Sequence, residues 1–260
     1  MQSWVYDIHV LGSSSKGNCI YIDTGDCRLL LDVGLTFTKI KEQLRSIQVK
    51  LSSVDYILVT HEHIDHIRSL SKILSTYNIK VVASRGTLIG VDIPKDNIIY
   101  IKDSEEINHH NISINAKRVN HDASEPLCFS ITNSMGEKLL YLTDCGLAKY
   151  LKFRNHDIYI VEANYSRDIL ECNFQNNKIR KARYKRALSG TGHLSIEETT
   201  EFLNENIGGN TDQIILSHLS SDNSNKDLFK QKVIDDLFFF NVNIAEKGLD
   251  IKCGKNPHPF

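Results

Sequence analysis

Proline is scarce in this chain, four in 260 residues, and no Pro/Gly/Ser-rich tract, low-complexity segment or solenoid-length repeat interrupts it. Nothing marks an interdomain linker, so a single domain over residues 1–260 is expected. No apolar run approaches the roughly 18 residues of a membrane span. The longest, around Leu29–Val33 and Leu237–Phe240, are of strand or core length, and no membrane association is expected. The opening MQSWVYDIHV carries neither a cationic segment nor a long apolar one, which argues against a secretory signal. The six cysteines (19, 27, 128, 145, 172, 253) include no CxxC pair. Without an export signal, reduced thiols in a cytoplasm are expected rather than a disulfide framework. The formal net charge is only −1, which excludes a strongly basic nucleic-acid coat but not a local basic patch. What is present is ordinary for a globular protein: 41% hydrophobic and 24% charged residues, enough for a substantial core.

Short apolar runs separated by Gly, Ser and Asp predict strands at Val5–Leu11, Cys19–Asp23, Leu29–Asp32, Val54–Val59 and Lys80–Ala83. Apolar residues at three- and four-residue spacing predict helices over Phe37–Ile47 and through Ile67, Leu70, Ile73 and Leu74. Strands return at Ile98–Ile101, Ile112–Val119, Cys128–Thr132 and Leu139–Leu142. The last third alternates: strand Ile158–Glu162, a basic helix over Lys178–Leu188, helix Ser195–Asn206, strand Gln213–Ser217, helix Asp227–Phe238 and a strand near Asn241–Ala245. Strands in two runs, each followed by helices, predict an α/β fold of two sheets with helices outside.

The segment Thr60-His61-Glu62-His63-Ile64-Asp65-His66 concentrates three imidazoles and an aspartate between a buried-type strand and a helix. Such donors suit zinc, manganese or iron. In an extended stretch His61 and His63 share a side, while Asp65 and His66 at the helix entry face a second position, which makes two half-sites for two-metal hydrolysis. A chance match to this pattern has a probability on the order of one in a thousand. Three further apolar strands end in ligand-type residues: His121 after Val119, Asp144 after Leu142 and His218 after Leu216. Strand ends are how a sheet edge gathers a site from distant sequence. The pair His109-His110 has no such context and reads as a surface loop.

These motifs resemble the metallo-β-lactamase-fold hydrolase superfamily. Within it they are most similar to the YycJ/WalJ-type exonuclease group, itself related to the transfer-RNA 3′-processing ribonucleases. The resemblance rests on Gly12-Ser-Ser-Ser-Lys-Gly-Asn-Cys19, Leu30-Leu-Asp-Val-Gly34, the histidine cluster, His121-Asp-Ala-Ser-Glu-Pro126, Thr143-Asp-Cys-Gly146, Val161-Glu-Ala-Asn164, Gly192-His-Leu-Ser195 and Ser217-His-Leu-Ser220. It implies a four-layer αββα sandwich and two divalent metal ions, zinc or manganese. His61, His63 and His121 would hold one, Asp65, His66 and His218 the other, and Asp144 would bridge them. Asp65 and His193 would be catalytic. Ser69 stands where a glycine is usual, Tyr165-Ser166 replaces His-Asp, and Ser221-Asp222 replaces Arg-Glu; the last two lie near the expected substrate rim.

A bridging aspartate rather than cysteine argues against a periplasmic β-lactamase, and His63 rather than glutamate argues against a di-iron oxygen reductase. Hydrolysis by a hydroxide bridging the metals remains. His193, outside the ligand set, stands where the related ribonucleases place a histidine on the scissile phosphate; it could stabilise or protonate there. Lys178-Ile-Arg-Lys-Ala-Arg-Tyr-Lys-Arg186 carries six cations in nine residues, either a solvated helix face or a phosphate track. Candidate substrate-binding residues are Ser15 and Asn18 in the Gly/Ser loop, Asn164, Lys181 and Arg186. The expected activity is phosphodiester hydrolysis of nucleic acid, DNA in preference to RNA, of the 5′→3′ exodeoxyribonuclease type, in a possible homodimer. The alternatives are a hydrolase of a small molecule (cyclic nucleotide or other small phosphodiester, lactone, thioester) and a metal-bound regulator without catalysis.

Overall fold

The computed structural model describes residues 6–254; Val5, the expected start of the first strand, lies outside them. By chain contacts these residues form two compact units, one of residues 6–118, 123–138 and 246–254, the other of residues 119–122 and 139–245. The strands fall into two sheets.

The first unit opens with an antiparallel meander, β1 (Tyr6–Gly12), β2 (Cys19–Asp23) and β3 (Arg28–Leu31). The β2–β3 turn closes on Thr24, whose hydroxyl oxygen accepts from Cys27 N at 3.0 Å, and on Gly25 at φ 81°. From β3 the sheet turns parallel through β4 (Tyr56–Leu58), β5 (Lys80–Ala83) and β6 (Ile98–Tyr100). The crossovers are helical: α1 (Phe37–Ser46), then α2 (Ile64–Ile67) and α3 (Leu70–Leu74), then α4 (Arg85–Leu88). The central strands are continuous buried runs, as parallel strands covered by helices require. Leu30, Ile57 and Val81 join Ile40 and Leu44 of α1 and Leu70 and Ile73 of α3 in one core. The unit continues in a second antiparallel meander, β7 (Glu106–His109), β8 (Ile112–Arg118) and β9 (Leu127–Thr132).

The second unit is built on parallel strands in the order β10 (Lys138–Leu142), β11 (Ile158–Glu162), β12 (Gln213–Ser217) and β13 (Val242–Ile244). Its helices are α5 (Arg167–Gln175), α6 (Lys181–Ala187), α7 (Ile196–Asn206) and α8 (Lys226–Leu237). Two start on side-chain caps. Ser195 and Glu198 form a reciprocal capping box at α7, and Asn225 accepts from Asp227 N and Leu228 N at α8. The chain then returns to the first unit as β14 (Asp250–Cys253), which pairs antiparallel with β1.

Two expectations from the sequence are corrected. The helix expected through Ile67–Leu74 is two, because Ser69 N donates to Val33 O at 3.0 Å while Asp65 O accepts from Asn18 N at 2.8 Å. The i→i−4 bond between Ser69 and Asp65 is replaced on both sides. The expected surface loop at His109-His110 begins one residue later: His109 ends β7 opposite Ile112, and His110 and Asn111, at φ 47° and 61°, form a two-residue hairpin turn. Histidine is a weak turn signal, so the hairpin left little trace in the sequence.

Gly34 is where this packing tolerates no side chain. A Cβ there would lie 1.6 Å from Asp65 O. Gly34→Ala must push the α2 entry away, and we expect a loss of about 1–3 kcal/mol or more of stability, read as a lowered Tm, together with weakened metal binding in a chelator competition.

Candidate metal centre

In both units, ligand-type residues stand at or beyond the carboxyl ends of parallel strands. In the first unit Asp32 follows β3, and Thr60 and His61 follow β4. Asp32 is fully buried and held at φ 56°, a left-handed conformation that is uncommon for non-glycine residues as a whole. Its Oδ1 accepts from Thr60 N at 2.9 Å, and its Oδ2 lies 2.8 Å from His66 Nδ1. Thr60 Oγ1 is 3.1 Å from Asp32 and 3.0 Å from His61 Nδ1. With the threonine proton given to the carboxylate, its oxygen accepts from His61 Nδ1–H. His66 donates Nδ1–H to Asp32 in the same way, which leaves an acceptor at Nε2, and Asn18 Nδ2 lies 3.1 Å from it. The rings of His61 and His63 are 4.6 Å apart and those of His61 and His66 4.1 Å. Asp65 Oδ2 lies 3.6 Å from His66 Nε2. Glu62 turns away from these ligands and holds the loop before β9, its Oε1 accepting from Ser124 N at 2.7 Å and from Ser124 Oγ at 2.9 Å.

In the second unit Asp144, Glu162 and His218 follow or end β10, β11 and β12, and Asp144 and His218 are also left-handed, at φ 47° and 53°. Glu162 is fully buried. Its Oε1 is 2.7 Å from His193 Nδ1 and 3.0 Å from His218 Nδ1, and its Oε2 accepts from Cys145 N at 2.9 Å. Asp144 lies 3.3 Å from His193 Nδ1, 3.4 Å from His218 Nδ1 and 3.7 Å from His121 Nε2. His121 sends Nδ1–H to Gly192 O at 3.0 Å. Complete burial would raise the Glu162 pKa, but the two imidazoles hold it below the usual carboxylate range. Burial would lower His193, yet Glu162 and Asp144 raise it; burial prevails at His121, which is lowered. Burial pushes the Cys145 thiol beside Asp144 up to about 12, so it offers no thiolate at neutral pH.

The chemistry of these donors fits divalent ions. His61, His66, His121 and His218 each engage Nδ1 with a protein acceptor. That fixes the tautomer and leaves Nε2 as the nitrogen with the lone pair, the usual arrangement behind a metal-bound histidine. Each unit also offers a carboxylate, Asp65 in the first and Asp144 in the second, and nitrogen with oxygen donors is the chemistry that suits zinc or manganese. Asp144, Glu162, His193 and His218 offer atoms all within 4.8 Å of one another.

Sequence reasoning passed over Asp32 and Glu162 as site residues, although both lie in the motifs that carry the resemblance. Their signal was a carboxylate closing an all-apolar strand, the same one that exposed Asp144. Of the expected substrate residues, Asn18 is buried against Asp65 and His66. Asn164 is buried and donates to His218 O at 2.8 Å. Ser15 and Lys181 are exposed. Arg186 makes a two-pronged pair with Asp122, both bonds 2.9 Å, and Asp122 Oδ1 lies 3.2 Å from His121 Nε2. A Cβ on Gly192, whose carbonyl holds His121, would come within 2.1 Å of Arg186 O. Arg186 thus bears on His121 through Asp122 and through the Gly192 backbone. Glu162→Gln keeps the shape but loses an acceptor charge for two imidazoles; we expect metal affinity to fall about 10–100-fold, measured by competition with a chelator.

The metallo-beta-lactamase superfamily matches residues 14–89. A Bacillus anthracis protein named exodeoxyribonuclease YycJ is 32% identical over 235 residues, 86% of this chain and 86% of that protein. Streptococcus pneumoniae (strain D39) exodeoxyribonuclease WalJ is 30% identical over 258 residues, 94% of this chain and 91% of that one. Among solved structures, the metallo-beta-lactamase fold protein YhfI from Bacillus subtilis matches with a TM-score of 0.71 at 16% identity, over 95% of this chain and 99% of its own, which shows the fold. With its two sheets and flanking helices, and relatives at 30% identity or more over most of its length, this chain belongs to the metallo-β-lactamase superfamily, in the group of YycJ and WalJ.

Proposed function

We propose that the chain is a dinuclear metal-dependent nuclease of the exodeoxyribonuclease type, acting on DNA in the cytoplasm. The observation that carries this reading is the Glu162–His193 pair beside Asp144, a proton donor set against a ligand-type aspartate. The relatives' names supply the substrate class. As the family resemblance implies, His61, His63 and His121 would hold one ion, zinc or manganese, Asp65, His66 and His218 would hold a second, and Asp144 would be shared. When bound, the ions would lower the pKa of an attacking water and offset charge on the phosphodiester.

The protein residues divide the remaining work. Glu162 orients the His193 ring and favours its protonated form, so the ring can offer a proton to the departing oxygen and stabilise charge on the phosphate. Asp65, partly buried in the histidine cluster, is the carboxylate to which this reading gives the proton of the water. Phosphates farther along the strand would meet the basic segment ahead of Gly192. There Arg183 is paired with Asp222 at 3.0 Å and Arg186 with Asp122, while Lys178, Arg180, Lys181 and Lys185 are exposed. The track thus has four cations to offer rather than six. The two-pronged pairing of Arg186 supports a positioning role in place of the substrate contact expected from sequence. Among the described residues no helix is long and apolar enough to cross a membrane.

Three outcomes check the proposal. Asp144→Ala should lower metal content below two ions per chain and abolish cleavage, by elemental analysis and oligonucleotide turnover; fully active protein with one ion or none would refute the dinuclear assignment. His193→Ala should keep its metal and fold while losing roughly 10²–10⁴-fold in rate. Binding of a DNA strand should weaken with salt at a log–log slope of about −0.7 to −0.9 per contact, with two to four contacts as an estimate on the same counterion basis. Neutralising Lys181 and Lys185 should make that slope shallower without changing hydrolysis of a chromogenic phosphodiester. Equal loss on both substrates would favour a small-molecule hydrolase instead.

A further inference from the structure

We propose that Tyr100 and Arg85 form a stacking station for a nucleobase of a single-stranded substrate, a role that rests on the nuclease reading and extends it. Tyr100 ends β6 and Arg85 begins α4, immediately beyond β5 and its cap residue Ser84. The Arg85 guanidinium lies 4.4 Å from the centroid of the Tyr100 ring. Both residues are exposed, Tyr100 by 40%, at the end of an edge strand that the core engages through Ile98 instead. A tyrosine there does little for the core. A tyrosine backed by a guanidinium is a flat, cationic platform, and that chemistry suits a base attached to a phosphate backbone, since every base offers a π-face and every linkage a negative charge.

Strand register sets where this platform stands. Leu58 pairs with Val82, and Ala83 with Tyr100, so Val59, Ala83 and Tyr100 lie level across the sheet. His61 follows two residues after Val59. With neighbouring strands about 4.8 Å apart, the β4 and β6 lines are about 10 Å apart. Asp32, His61, Arg85 and Tyr100 therefore succeed one another along the carboxyl edge of the parallel run β3–β6, the edge where open α/β sheets bind ligands. Hydrogen bonds fix the platform in place beside the loop that Glu62 holds. Gly86 N donates to Glu125 Oε2 at 2.7 Å and Ser84 Oγ to Glu125 O at 2.8 Å. Arg118 Nη2 donates to Ser124 O at 3.3 Å. Ser124 and Glu125 thus run beside α4, and a strand leaving the reacting phosphate along this edge meets the Tyr100 ring.

The test uses the metal-loaded protein for turnover and the chelator-treated protein for binding, with a fluorescent single-stranded DNA oligonucleotide and bis(p-nitrophenyl) phosphate as substrates. Tyr100→Ala should raise the oligonucleotide KM and the anisotropy Kd about tenfold, within the range for loss of one stacked base. It should leave Tm, the salt slope and hydrolysis of the small diester unchanged. Tyr100→Phe, which keeps the ring, should behave as wild type. An unchanged Kd for Tyr100→Ala, or equal losses on oligonucleotide and small diester, would overturn the assignment while leaving the nuclease reading standing. A wild-type protein that neither binds nor cleaves the oligonucleotide would overturn both.

Discussion

The constraint on which the ligand-type residues of both units depend is the hydrogen bond from four buried histidines' Nδ1 to an acceptor of the protein. His66 rests on Asp32, His61 on Thr60, His218 on Glu162 and His121 on the carbonyl of Gly192. An imidazole with Nδ1–H committed can offer only Nε2, so these bonds set the tautomer and the direction of each ring. The anchors that are carboxylates, Asp32 and Glu162, are fully buried. Such groups are tolerated only when hydrogen-bonded throughout, and each is: Asp32 by Thr60 and His66, Glu162 by Cys145 N, His193 and His218.

The backbone carries the cost of this arrangement. Asp32, Asp144 and His218 all adopt positive φ where their strands end, a conformation that persists in non-glycine residues only when the surroundings enforce it. Parallel strands covered by helices provide that enforcement, because the near-continuous burial of β3, β4, β11 and β12 leaves their ends no freedom to relax. Close backbone contact does the same for loops. Gly34 sits against Asp65 O and Gly192 against Arg186 O, with no room for a Cβ at either place. The same tight passage at Asp65 and Ser69 divides α2 from α3, so the broken helix and the placement of the ligand cluster have one cause.

Much of this was legible in the sequence. The strands Cys19–Asp23, Lys80–Ala83, Ile158–Glu162 and Gln213–Ser217 have the bounds that apolar runs and turn residues indicated. The Ser195 cap marked the start of α7. The histidine cluster and the strand-end residues Asp144 and His218 were visible because a ligand-type side chain closing an apolar strand breaks a local pattern. Less visible were β7 and β14, whose exposed positions weaken the apolar run, and α5, whose one buried side chain is Leu170.

What the sequence determined by itself was the kind of chemistry, since residue type and spacing decide which donors a strand end can present, and local patterning decides where strands end. What only the tertiary structure decided was how those donors are used. Glu62, inside the cluster, turns to Ser124, whereas Asp32, distant in sequence, holds His66. Arg186, expected on substrate, is engaged by Asp122. Each of these outcomes depends on which backbone passes nearby in three dimensions. Composition and periodicity carry no record of that, because hydrogen-bond partners are selected by the fold and not by neighbours in the chain.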